Sequence, residues 1–214
     1  MTIADTPYRG NVAEPLHDDE IHVWKLDYRR TEGRTPLIRV LARYLAIEPA
    51  AVELIEGAHG RPVLADTHGD ALDFNWSHSG DHALIAVARG IAPGVDIERR
   101  RPRPKALEIA QRFFSSDEIA VLANAAPERR SGIFLDIWTA KEALLKAHGR
   151  GLSFGLDRLS VVGDDALIRL RRFDGEDIDG WQVQQLALGH AFAGALAWRG
   201  EARRVRLGVL ASGV

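Results

Sequence analysis

The segment "WTAKEALLKAH" sets three charged side chains, Lys141, Glu142 and Lys146, into an otherwise apolar run. On a helix turning about 100° per residue, Lys141 falls in the middle of the arc that Phe134, Trp138 and Leu145 share with Ile133, Ile137 and Leu144. A lysine there needs a partner. Glu142 stands at the edge of the arc with Lys146 one turn beyond it, so a carboxylate and an ammonium are presented together. Read alone, Glu142 and Lys146 form a surface pair contributing about 0.2 to 0.5 kcal/mol, with the Lys141 stem lying along the apolar face, which accounts for Lys146 but strains over Lys141.

Two more clusters carry chemistry. In "GVDIE" the strand period of two puts Asp96 and Glu98 on one face and Val95 and Ile97 on the other, with the carboxylates about 6 to 7 Å apart. Like charges so placed repel. A hard divalent cation removes that cost, with Glu142 as a third oxygen ligand; a few carboxylates plus phosphates and waters suit Mg²⁺ better than a closed zinc site. The other reading is a strand with a solvated polar face. In "NWSHSG" His78 ends a strand before a tight turn, where a side chain projects into a cleft or simply satisfies a strand-end hydrogen bond. Ser79-Gly80 breaks the helix that a His78/His82 metal pair requires, and Ser77 and His78 point to opposite strand faces, so they are no catalytic pair. No nucleophile elbow, Walker loop or dinucleotide fingerprint is present.

Composition sets the frame for these clusters. The chain has 214 residues, 46% hydrophobic and 27% charged, enough to bury a core in one domain or two small lobes. A formal charge of -2 argues against a general nucleic-acid or membrane binder. The absence of cysteine excludes disulfides, thiolate zinc sites and cysteine nucleophiles. The opening "MTIADTPYRGN" has no signal pattern, and "LALGHAFAGALAW" is too short and interrupted to span a bilayer, so a cytoplasmic protein is expected.

The elements that position the clusters are legible in outline. Residues 1–20 form a polar lead-in, and "IHVWKLDY" alternates as a strand. A helix over 35–46 takes Thr35 as N-cap and Pro36 as its first residue. "DFNWSHSGDHALIAVARG" is a hairpin and "APGVDIE" a further strand, followed by the charged, proline-broken "RRRPRPK" as the boundary between lobes. Helices follow: "ALEIAQRFF", "SDEIAVLANA" capped by Ser116, and a long one from about Ser131 to Ala147 that Gly149 ends. "LDRLSVVG", "ALIRLRRF", "WQVQQLAL" and "HAFAGALAW" then read as a meander. The pattern is α+β.

Taken in order, "GRP", "FNWSHSG", "GVDIE", "RFFSSDE" and "WTAKEALLKAHGRGL" resemble the Sfp-type 4'-phosphopantetheinyl transferases, from about Arg34 to the last strands. The resemblance implies two similar, pseudo-duplicated lobes, residues 1–93 and 94–214, each with a small antiparallel sheet packed against helices and the site at their interface. It implies a monomer that moves the 4'-phosphopantetheine arm of coenzyme A to a serine of an acyl or peptidyl carrier domain, with Mg²⁺ or Mn²⁺, releasing adenosine 3',5'-bisphosphate. Under it Asp96, Glu98 and Glu142 hold the metal, and Glu142 is also the base for the carrier serine. Lys141 and Lys146 contact phosphates and steady the leaving group, Arg61, Ser77 and His78 bind the nucleotide's phosphates, and Arg34 and Thr35 align with a coenzyme contact. The chain departs from the family between its first strand and Thr35, where "RRTEGR" replaces a basic helical segment, so that some coenzyme contacts expected from it are either missing or supplied by Arg29, Arg30 and Arg34. Arg99, Arg100, Arg101, Arg103 and Lys105 either steer an acidic carrier or form a solvated linker. A Mg²⁺-dependent phosphohydrolase acting on nucleotides and a catalytically silent carrier-binding relative are the competing readings.

Overall fold

The computed structural model describes residues 8–9, 15–69, 72–164 and 167–210. Strands β1 (Tyr8–Arg9), β2 (Glu20–Asp27), β5 (Asp73–Ser79), β6 (His82–Ala88) and β12 (Arg204–Val209) make a five-stranded sheet in the order β1-β12-β2-β6-β5. A second sheet, β10-β11-β7, joins β7 (Gly94–Arg99), β10 (Trp181–Gln185) and β11 (Phe192–Arg199). Two hairpins flank them: β3 (Leu54–Glu56) with β4 (Pro62–Leu64), and β8 (Leu159–Asp164) with β9 (Leu167–Phe173). The helices are α1 (Thr35–Leu45), α2 (Ala106–Phe113), α3 (Ser116–Asn124) and α4 (Pro127–His148).

The strand period of two sorts the side chains into three cores. Trp24 and Leu26 of β2, with Ala83, Ile85 and Val87 of β6, face α1 and its Leu37 and Leu41. Ile21, Val23, Leu84 and Ala86 face the other way, onto Val95 and Ile97 of β7 and Leu196 of β11. On the far side of the second sheet, Ala193, Ala195 and Ala197 receive α4 through Ala140, Ala143 and Leu144. The order of layers is therefore α1, five-stranded sheet, three-stranded sheet, α4. Burying each of the valine, leucine and isoleucine side chains among these contributes about 1.5 to 3 kcal/mol relative to exposure, which fixes the sheets face to face.

The expected division at residues 93 and 94 is crossed. β12, from the end of the chain, pairs in parallel with β2, so the first sheet is mixed rather than antiparallel. The fully buried Glu20 pins that junction, accepting from Arg204 and, at 3.2 Å, from His22. Burial pushes its carboxyl up, but the His22 bond, the His17 amide and the Arg204 charge outweigh this and hold it below its ordinary value.

Helix boundaries differ from expectation by small, explicable amounts. Thr35 is already helical and Arg34 occupies the cap position. Ser115, not Ser116, caps α3, because Glu118 three residues on closes a reciprocal capping box with it. α4 begins at Pro127, whose fixed φ suits a first turn. It ends as expected at Gly149, in the left-handed region at φ 88°. Of the polar lead-in, residues 1–7 and 10–14 fall outside the described residues. Among the described residues no helix is long and apolar enough to cross a membrane.

Candidate active site at the β5–β7 seam

β5 and β7 are neighbours but belong to different sheets, so no backbone ladder joins them. Side chains of β5 close the seam instead. Asn75 Oδ1 accepts from the Val95 amide at 2.9 Å, Ser77 Oγ donates to Asp96 Oδ1 at 2.7 Å, and Ser79 Oγ donates to Glu98 Oε2 at 2.8 Å. Ser77 and Ser79, two apart on β5, thus meet Asp96 and Glu98, two apart on β7, as the shared strand period requires, while Asn75 takes the backbone amide of Val95.

α4 lies directly on the start of β7. A Cβ on Gly94 would sit 2.0 Å from the Ala143 carbonyl oxygen and 2.4 Å from the Ala147 amide, so only glycine admits this approach. That contact brings Lys146 over the carboxylates: its Nζ donates to Asp96 Oδ1 at 2.7 Å and to the Val95 carbonyl at 3.1 Å. Asp96 is 5% exposed, and its Oδ2 is buried with no hydrogen-bond partner. Glu142 is pushed up to about 7, first by burial and then by the Asp96 and Glu98 charges, against the opposing pull of Lys146. A carboxyl titrating there is half ionised at neutrality and able to take a proton.

His78 joins the same cluster. Its ring lies 4.9 Å from Tyr28 and 5.7 Å from Trp76. Burial, then the nearby Arg30 and Lys146 charges, hold its pKa below the ordinary value, with Glu98 opposing. The imidazole is therefore neutral near pH 7, with one ring nitrogen donating and the other accepting.

Several expected residues stand elsewhere. Lys141 does not face the seam: it is fully buried, its Nζ paired with Glu118 and 4.5 Å above the Phe114 ring. The partner its place on the apolar arc demanded is thus internal. Arg61 directs its guanidinium at backbone carbonyls, donating to Lys146 O at 2.7 Å, Phe74 O at 2.7 Å and Pro93 O at 3.0 Å. Ser77 spends its hydroxyl proton on Asp96. Arg34 and Thr35 are exposed at the start of α1, while Arg30 just before them is the residue of that stretch whose charge acts on His78. The basic linker is partly stitched down, with Arg100 on Asp136, Arg103 3.6 Å from Glu98 and Arg99 3.4 Å from Asp81. Arg101 and Lys105 remain exposed.

Sequence reasoning missed Glu118, Ser79 and Asn75. Glu118 was signalled by the capping-box spacing from Ser115, and Ser79 and Asn75 by their period-two relation to Ser77.

Among the described residues no three acidic or histidine side chains already converge as a metal centre. The donor set nevertheless fits a hard cation. Asp96 offers an unsatisfied buried oxygen, and Glu142 is held partly protonated first by burial and then by the negative charge of Asp96 and Glu98, which Lys146 only partly offsets.

The seam of this α+β fold thus gathers a carboxyl titrating at about 7, an ammonium and an orphaned carboxylate oxygen. Residues 92–197 match the 4'-phosphopantetheinyl transferase superfamily. The chain is 39% identical over 150 residues to the 4'-phosphopantetheinyl transferase HetI of a Nostoc species, covering 67% of this chain and 63% of HetI. It is 35% identical over 159 residues to a 4'-phosphopantetheinyl transferase of Bacillus subtilis, covering 72% of this chain and 67% of that protein. The chain belongs to this superfamily. A looser overlap, with a TM-score of 0.42 and 21% identity, covers 51% of this chain and 96% of a holo-(acyl-carrier-protein) synthase from Bacillus anthracis solved with CoA (3',5'-ADP).

Proposed function

We propose that this protein transfers the 4'-phosphopantetheine arm of coenzyme A to the serine hydroxyl of an apo acyl or peptidyl carrier domain and releases adenosine 3',5'-bisphosphate. The observation that carries this reading is the meeting of Glu142, Asp96 and Lys146 at one point between α4 and β7. The serine oxygen forms a bond to the pantetheine-side phosphorus as the bridging P–O bond breaks. Glu142, ionised near neutrality, accepts the serine proton. Lys146, already held over the seam, balances the charge that grows on the departing phosphate oxygen. His78, neutral and backed by Tyr28, contributes a hydrogen bond to the nucleotide's phosphates. Arg30, Arg34 and Thr35 border the nucleotide from the start of α1.

Asp96 Oδ2, Glu98 and Glu142 would hold Mg²⁺ or Mn²⁺. The ion supplies charge neutralisation for the diphosphate. In the same reading the two halves are pseudo-duplicates, each a sheet backed by helices, with β12 of the second half joining the sheet of the first.

The test is mass spectrometry of a broad panel of apo carrier domains incubated with the protein, coenzyme A and Mg²⁺. At least one carrier gains a phosphopantetheine mass, and EDTA abolishes the gain. No gain across the panel overturns the reading, and release of adenosine 3',5'-bisphosphate without any carrier identifies a phosphohydrolase instead.

A further inference from the structure

We propose that Ser79 is a positioning residue: its hydroxyl fixes the Glu98 carboxylate through one oxygen and leaves the other for a divalent cation. The inference rests on the transferase reading above and deepens it. Its basis is how the protein's own donors are shared out over the two carboxylates of β7. On Asp96, Ser77 Oγ and Lys146 Nζ both donate to Oδ1 at 2.7 Å, while Oδ2 has no hydrogen-bond partner. On Glu98, Ser79 Oγ donates to Oε2 at 2.8 Å and Arg103 Nη2 lies 3.6 Å from the same atom, so Oε1 is the oxygen those donors leave open. Each carboxylate is anchored through one oxygen only.

Ser79 ties the Glu98 side chain to the main chain beside it. β7 is an edge strand bonded only to β11, so its outward amides have no ladder partner. Side chains of β5 meet two of them, Asn75 Oδ1 accepting from Val95 at 2.9 Å and Ser79 Oγ accepting from Arg99 at 3.1 Å. The Ser79 hydroxyl thus gives its proton to the Glu98 carboxylate and a lone pair to the amide that follows Glu98. One oxygen atom sets both.

The hydroxyl has a rigid base. Ser79 pairs with His82 across the β5–β6 hairpin, and Gly80, in the left-handed region at φ 63°, helps close the tight turn between them. Asp81 of that turn lies 3.4 Å from Arg99 Nη1, so the tip of the hairpin stays on the end of β7 even without the hydroxyl. What the hydroxyl alone supplies is the setting of Glu98, a long, partly exposed side chain otherwise free to swing. That setting bears on the whole cluster, because the Glu98 charge acts on Glu142 together with that of Asp96. A ligand held in advance has less rotamer freedom to lose when an ion binds. Removing the hydrogen-bond partner that orients a metal ligand costs about 10- to 100-fold in affinity.

The experiment measures Mn²⁺ binding by electron paramagnetic resonance at saturating coenzyme A and without carrier, the coenzyme's own Mn²⁺ binding being subtracted. Ser79→Ala should raise the Kd for Mn²⁺ by about 10- to 100-fold, whereas Ser79→Thr, which keeps the hydroxyl, should stay within about threefold of wild type. Coenzyme A affinity in EDTA should stay within about threefold for both, and the transfer rate lost in Ser79→Ala should return as Mg²⁺ is raised. In a Glu98→Gln background Ser79→Ala should add less than about threefold, because the hydroxyl acts through the residue already changed. Three results overturn the proposal: Mn²⁺ affinity unchanged in Ser79→Ala, fully additive losses, or coenzyme A bound about tenfold more weakly in EDTA with Mn²⁺ affinity kept. If Ser79→Ala does not fold, Ser79→Cys makes the same comparison with a weaker donor. The two readings fail separately. A wild type that binds no Mn²⁺ overturns this proposal whatever the carriers show, and one that binds Mn²⁺ but modifies no carrier overturns the transferase reading while the Ser79 comparison still decides the positioning role.

Discussion

Replacing Lys141 by methionine separates a buried structural charge from a substrate contact. Methionine keeps most of the stem's packing but removes the ammonium that is fully buried against Glu118. Glu118 then retains three neutral donors: the Ser115 amide and hydroxyl on Oε2 and the Val161 amide on Oε1, each at 2.9 Å. Stranding one partner of a buried ion pair costs about 3 to 5 kcal/mol. The three remaining hydrogen bonds place this case near the low end, about 3 kcal/mol. At about 2 to 4 °C per kcal/mol for a chain of this size, Tm should fall by about 6 to 12 °C. The double variant Lys141→Met/Glu118→Gln removes both charges and should recover at least about half of that loss. The assays are thermal melting by circular dichroism and coenzyme A affinity for each variant. Affinity should stay within about threefold of wild type, since the ammonium never reaches the seam. If Lys141→Met melts within about 2 °C of wild type yet binds coenzyme A about tenfold more weakly, the burial argument is refuted and Lys141 is a phosphate contact after all.

Other perturbations read other parts of the site. Gly94→Ala forces a methyl group against the Ala143 carbonyl, 2.0 Å away, so α4 must retreat; it should cost about 1 to 3 kcal/mol by melting and about 10²-fold in single-turnover rate. Glu142→Gln should lower turnover by about 10²-fold or more at unchanged Tm or better, since it deletes the proton acceptor and relieves crowded negative charge. Lys146→Ala should lower the single-turnover rate while coenzyme A affinity is largely kept, because the charge it balances grows only as the bond breaks. Glu142 is raised from 4.5 to about 7, so the metal-free fold holds a proton that the unfolded chain has released between those values. Its contribution to stability is therefore present below 4.5 and lost as pH rises through about 7. Melting at a series of pH values should show that decline without metal and its reversal by Mg²⁺ near neutrality.

Features that depend on local backbone repeat were legible in the chain alone. The strand period put Asp96 and Glu98 on one face, and the structure turns that face toward Glu142 and Lys146. The helical period put Lys141 among apolar neighbours and so required a partner for it. The Gly149 stop and the 73–88 hairpin follow from turn chemistry that acts over a few residues. Tertiary structure decided which distant group each side chain met. Glu118 lies 23 residues from Lys141, and the Lys146 carbonyl lies 85 residues from Arg61. Such partners are chosen when elements pack, by which buried carbonyls and carboxylates are left unsatisfied, and no periodicity records that. β12 is the same case: its short alternation fits any open edge, and only the packed structure sets it beside β2, with Arg204 on the buried Glu20 and Gly208 against Trp24. The face of each strand and helix is a local property of the chain, whereas the role of Arg61, Lys141 and Ser77 depends on the layer that closes over them.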